Sequence, residues 1–139
     1  MWPQLPIEFV VVGTPVSHQN TTPQSRNAWK DRVRNAALAS IPEGSWALAN
    51  VRLVVSMIYL PTEPMAGDLD NRIKLILDAL APTVILDDTL VDRIVAQRID
   101  PAADATFLEP SDTLIEAMAM NDPTVYIRIA EVSVEDIRI

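Results

Sequence analysis

Apolar and polar residues alternate in two rhythms along the chain, and the rhythm changes at prolines and glycines. Residues 7–12 (IEFVVV) are β-rich and run into Gly13-Thr14-Pro15, which predicts a strand and a turn. Residues 14–25 are polar with two prolines and predict a loop. Ser25 is placed to cap a helix reaching about Ser40, with Trp29, Val33, Ala36 and Ala37 on one side. Residues 41–50 contain Pro42 and Gly44 and predict a connection. Residues 51–60 (VRLVVSMIYL) carry the strongest strand pattern, stopped by Pro61 and Pro64, with a loop over 61–67.

Residues 70–80 predict a helix with Asp68 or Asp70 near its cap and Pro82 as its stop. A short apolar run at 83–86 leads into Asp87-Asp88, and residues 91–99 predict a strand. A loop over 100–110 follows, then a short helix from Ser111 to about Met120. Residues 124–132 alternate, predicting a half-buried last strand. The order β-α-β-α-β-α-β predicts one α+β domain over 1–139, a mixed sheet of about four strands with helices packed on it. An acidic insertion at about 100–122 precedes the last strand. Residues 51–60 and 124–130 are the candidate free edges for a second copy.

Composition narrows the chemistry. Of 139 residues, 49% are hydrophobic and 22% charged, which suits a single buried core. The absence of cysteine excludes a disulfide framework, a thiolate metal site and a cysteine nucleophile. One histidine, His18, excludes a multi-histidine zinc site within one chain. No apolar run has the length of a membrane span, and the first residues do not read as a signal peptide, so the expected location is cytoplasmic.

The net charge of −8 argues against a nucleic-acid partner until it is mapped. Residues 100–139 hold nine acids and two bases, whereas residues 1–99 hold ten acids and nine bases. Four of those ten acids are Asp68, Asp70, Asp87 and Asp88.

These four lie in the stretch 67–92, GDLDNRIKLILDALAPTVILDDTLVD. At helical spacing, Asp70, Lys74 and Asp78 share one face with Asn71 beside them, while Leu69, Ile73, Ile76, Leu77 and Leu80 lie opposite. The turn after Pro82 is expected to return Asp87 and Asp88 to the helix start. Carboxylates at Asp68, Asp70 and Asp88 would then suit a hard cation such as Mg²⁺ or Mn²⁺. Such an ion polarises a phosphodiester oxygen, and Lys74 can meet a phosphate or leaving oxygen. The same residues also fit ordinary helix-start acids, an Asp70/Lys74 surface pair and a solvated Asp87-Asp88 turn.

The order Asp68, Asp70-Asn71, Lys74, Asp78-Ala79-Leu80, Asp87-Asp88 resembles the RusA family of Holliday junction resolvases. A similar strand, Gly13-Thr14-Pro15 and a helix with Trp29-Lys30 extend the resemblance over roughly 7–99. The resemblance implies a homodimeric, Mg²⁺-dependent endodeoxyribonuclease of recombination and repair that cuts four-way junctions with paired nicks; Mn²⁺ would substitute. It implies Asp68, Asp70 and Asp88 as metal-binding acids, Lys74 as the catalytic lysine, and supporting roles for Asn71, Asp78 and Asp87. Three rivals are a non-catalytic RusA-like binding module, a nuclease for flaps, single strands or other branched DNA, and an acidic interaction protein with no metal.

Arg26, Lys30, Arg32 and Arg34 form either a phosphate-binding edge or a solvated helix face, and Arg72 and Arg93 flank the acids as further DNA contacts. The loop at 16–25 is poor in Lys and Arg, which predicts weak, salt-sensitive DNA binding. His18 reads as a solvated loop side chain rather than a general base.

Overall fold

A computed structural model describes residues 1–19, 21–65, 67–135 and 137. In chain order it contains β1 (Ile7–Val12), α1 (Pro23–Ala39) and β2 (Leu53–Leu60). A 3₁₀ turn (Asp70–Arg72) leads into α2 (Ile73–Leu80), and a second 3₁₀ turn (Asp88–Leu90) into β3 (Val91–Arg98). The chain then forms α3 (Asp112–Met118) and β4 (Thr124–Glu131). This is the expected α+β order around one four-stranded mixed sheet.

The sheet order is β1-β4-β2-β3. β2 and β3 run parallel, and β4 is antiparallel to both β1 and β2. Strands β1, β2 and β3 therefore point the same way. Their carboxyl ends gather at one end of the sheet, where Val12, Leu60 and Thr124 are register partners. The loops after β1 and β2 both emerge there.

Three expectations are corrected by this topology. Residues 51–60 and 124–130 are not free edges, because β2 and β4 occupy the middle of the sheet. The edges are β1 and β3. The last strand is not half-buried: Thr124 to Ile127 are all buried, because β4 has a strand on each side and α3 covers its outer face. The strongest strand begins at Leu53 rather than residue 51.

The main core lies between the sheet and the pair α1 and α2. Trp29, Val33 and Ala37 of α1 and Leu75, Ile76, Ala79 and Leu80 of α2 meet Phe9, Val11, Val55, Met57, Ile127 and Ile129. Burying each large apolar side chain contributes roughly 1.5–3 kcal/mol before chain entropy is counted. A smaller cluster on the other face joins Leu114 and Ala117 of α3 to Tyr126 of β4.

Helix starts differ from expectation. α1 begins at Pro23, not after Ser25, because Thr22 is the cap and accepts the Ser25 N–H through Oγ1 at 3.1 Å. The expected helix 70–80 is divided. The Asn71 carbonyl accepts the His18 N–H at 2.9 Å, and the α-helix proper starts beyond it. Neither Asp68 nor Asp70 caps: residue 69 precedes the 3₁₀ turn and Arg72 precedes α2, both without a side-chain cap bond. The buried stripe of α2 is Leu75, Ile76, Ala79 and Leu80, with Ile73 and Leu77 only partly buried. Pro82 holds Ala81 in extended backbone and stops α2 at Leu80. Ser111 caps α3 as expected, with Oγ accepting the Leu114 N–H at 3.1 Å.

Candidate functional site

The loop after β1 and the turn carrying Asp70 face each other at the carboxyl end of the sheet. Between them lies a cleft of about 590 Å³. Its lining is hydroxyl- and amide-rich: Thr14, Ser17, Gln19, Thr21, Ser25 and Asn71, with Asp68 and Arg72. Open α/β sheets commonly present their ligand sites at this end.

Two side chains clasp the loop to the turn. Arg72 donates through Nη1 to the Pro15 carbonyl. The His18 ring Nδ1 lies 3.2 Å from the Asn71 carbonyl, which the His18 backbone N–H also reaches. The turn that carries Asp70 is thus fastened to residues more than fifty positions away.

Asp68 and Asp70 are exposed, and among the described residues neither carboxylate has a hydrogen-bond or ion-pair partner. Lys74 Nζ pairs with Asp78 Oδ1 at 3.3 Å, one turn onward, rather than with Asp70.

The amino end of the sheet holds the other acids. Asp87 Oδ1 accepts the Thr89 N–H at 2.9 Å and so caps the second 3₁₀ turn, which begins at Asp88. That N–H, followed by a hydrogen bond with Asp88, holds the Asp87 carboxyl below its ordinary range. Arg52 braces the same turn. It donates to Asp92 Oδ1 at 2.5 Å and Oδ2 at 3.0 Å, and to the Thr89 carbonyl at 2.5 Å. The Arg52 hydrogen bond holds Asp92 below the usual carboxylate range, and Asp92 raises Arg52 in return.

The expected return of Asp87 and Asp88 to the helix start does not occur within one chain. β3 leaves the Asp88 turn beside the first residue of β2 and climbs to Arg98, whose Nη1 lies 3.4 Å from the Gly67 carbonyl. A strand of that length spans on the order of 20 Å. The eight residues of α2, about 12 Å of helix, lead back towards the amino end, so Asp68 and Asp70 sit towards one end and Asp88 towards the other. Among the described residues no three His, Cys, Asp or Glu side chains converge as a metal group.

The candidate DNA-contact arginines are tied to the chain's own carbonyls. Arg26 Nη1 donates to Thr21 O at 2.7 Å, Arg32 Nη1 to Val12 O at 3.0 Å and Arg93 Nη2 to Ser133 O at 2.9 Å. Arg34 bonds Ala79 O at 3.1 Å and Asp31 at 3.2 Å. Each guanidinium has five N–H donors, so these ties leave others for a ligand. Lys30 is half-buried on α1. His18 and Arg52 were not legible as brace residues, because no spacing rule connects them to partners so distant in sequence.

A mixed sheet with a polar cleft and open carboxylates at its carboxyl end defines a small α+β domain with an acid-bearing site. The chain matches the family described as Endodeoxyribonuclease RusA over residues 11–130, nearly its whole length, and it belongs to that family. No curated protein matches it. The family consists of nucleases that act on branched DNA junctions. No helix among the described residues is long and apolar enough to cross a membrane.

Proposed function

We propose that the protein is a metal-dependent endodeoxyribonuclease that resolves four-way DNA junctions as a homodimer, with each metal centre shared between two copies. The observation that carries this is the pair of open carboxylates, Asp68 and Asp70, on a fastened turn beside a polar cleft. Mg²⁺ is commonly held by one or two protein carboxylates, with water and substrate phosphate completing its shell. Asp68 and Asp70 supply that donor set, and Asp88 of a second copy completes it. Within one chain Asp88 lies towards the opposite end of the sheet from Asp68 and Asp70, which favours the second copy's Asp88 as the ligand.

A bound Mg²⁺ or Mn²⁺ would polarise a phosphodiester oxygen and lower the pKa of an attacking water. Lys74, one turn beyond Asp70 and exposed, adds positive charge where the leaving oxygen develops negative charge. Asn71 lines the cleft beside Asp68 and orients the bound strand. Asp78 holds Lys74, and Asp87 shapes the turn that presents Asp88. Arg26, Lys30, Arg32, Arg34, Arg72 and Arg93 offer phosphate contacts with their remaining donors.

Mixing two inactive variants tests the shared centre. Asp70→Asn and Asp88→Asn each remove one acid. In a shared arrangement their heterodimer retains one intact centre, so the mixture regains nicking of one junction strand. Heterodimers that form and cut nothing would contradict the shared centre.

A further inference from the structure

We propose that His18 is a positioning residue: its ring Nδ1–H holds the Asn71 carbonyl and thereby sets the turn that presents Asp70. A carbonyl oxygen only accepts, so the Nδ1 atom 3.2 Å from it must be the protonated nitrogen of the ring. The Asn71 carbonyl therefore takes two donors from one residue, the His18 backbone N–H at 2.9 Å and the ring. The adjacent Arg72 grips Pro15 of the same loop. This clasp joins one wall of the cleft, including Ser17 and Gln19, to the other, formed by Asp68 and Asn71. The Asp70 carboxylate has no hydrogen-bond or ion-pair partner among the described residues, and only the Asp70 backbone carbonyl, which accepts the Ile73 N–H, is held. Its placement therefore depends on its backbone, which the neighbouring Asn71 carbonyl anchors. The effect of His18 on rate rests on the metal-nuclease function proposed above; its effect on the turn does not.

Amide isosteres separate this role from simple packing. An asparagine side chain places its NH₂ where Nδ1 stood, whereas glutamine places it where Nε2 stood. His18→Asn is expected to keep junction cleavage within about twofold of wild type. His18→Ala and His18→Gln are expected to lower kcat about five- to tenfold, the fold-change of one hydrogen bond, with KM for the junction unchanged and Tm lowered by no more than about a few degrees. Mn²⁺ affinity should follow kcat across the series. Equal rates in all three variants, or losses that track Tm instead of donor position, would overturn the proposal. Amide hydrogen exchange over residues 68–76 provides the readout that needs no activity: faster in the Ala and Gln variants, unchanged in the Asn variant. If wild type neither binds Mn²⁺ nor cuts, the nuclease function fails, and the exchange pattern still decides whether His18 holds the turn.

Discussion

Tyr126 Oη donates a 2.5 Å hydrogen bond to Glu8 Oε2, joining the middle of β4 to the edge strand β1. Ser111, the cap of α3, donates to the same oxygen at 2.5 Å. One carboxylate thus fastens α3 to the outer face of the sheet. Burial, and then the bond to Glu8, push Tyr126 up to about 12. A folded-state value above the free phenol's value near 10 gives stability that is complete below pH 10. That stability is lost as pH rises from about 10 through 12. Ultraviolet titration should show a tyrosinate phase near 12 that disappears in Tyr126→Phe. The same substitution should lower stability by about 1 kcal/mol, measured by urea unfolding.

At the amino end of the sheet the sign is reversed. Asp87 and Asp92 are held below the carboxylate range by the Thr89 N–H and by Arg52, respectively. Their contribution is present above the unfolded value near 4 and is lost as pH falls through the lower folded values. Tm should therefore decline below about pH 4. Arg52→Ala should flatten the part due to Asp92 and leave that due to Asp87. It should also lower cleavage by more than its small effect on Tm predicts, because the turn carrying Asp88 loses its brace.

Gly13 has φ +136°, and a Cβ there would stand 2.7 Å from Arg32 Nη1 and 3.1 Å from Trp29 Cζ3. The Arg32 side chain can move, but Trp29 is buried in the core. Gly13→Ala should destabilise by about 1–3 kcal/mol, from backbone strain as well as contact. Differential scanning calorimetry measures it.

Element order and the family were legible because they rest on local signals: the β-rich runs at 7–12 and 51–60, the Pro82 stop, and the spacing of Asp68, Asp70, Lys74 and Asp78. Apart from the start of α1, what was not legible depends on contacts distant in sequence. The start of α1 turned on which of two nearby hydroxyl residues, Thr22 or Ser25, caps it. The divided helix at 70–80 depends on a carbonyl that bonds His18. The position of Asp88 depends on β3 running parallel to β2, and a parallel pairing cannot be read from the alternation of one strand. Burial of β4 on both faces likewise depends on α3 docking through Leu114 and Ala117.

The acidic segment 100–122 begins and ends at the carboxyl end of the sheet, with Asp100 and Asp122 lining one cleft beside Leu60, and between them it carries α3 across the outer face. Its charge should repel DNA there. Because α3 carries buried side chains, neutralisation is a better test than deletion. Replacing Asp104, Glu109 and Glu116 by Asn or Gln should raise duplex affinity at low salt, with the gain fading at high salt. Filter binding or fluorescence anisotropy across a salt series reads this, and an unchanged affinity would show that the segment does not restrain DNA.

The most direct measurement is cleavage of a synthetic four-way junction with Mg²⁺ or Mn²⁺, comparing wild type with Asp70→Asn and using linear duplex as the control. A metal-dependent resolvase predicts paired, symmetric nicks in the junction by wild type, none by the variant and none in the duplex. Folded, dimeric wild type that leaves the junction intact with either metal, or an Asp70→Asn variant that cuts as well as wild type, would contradict it.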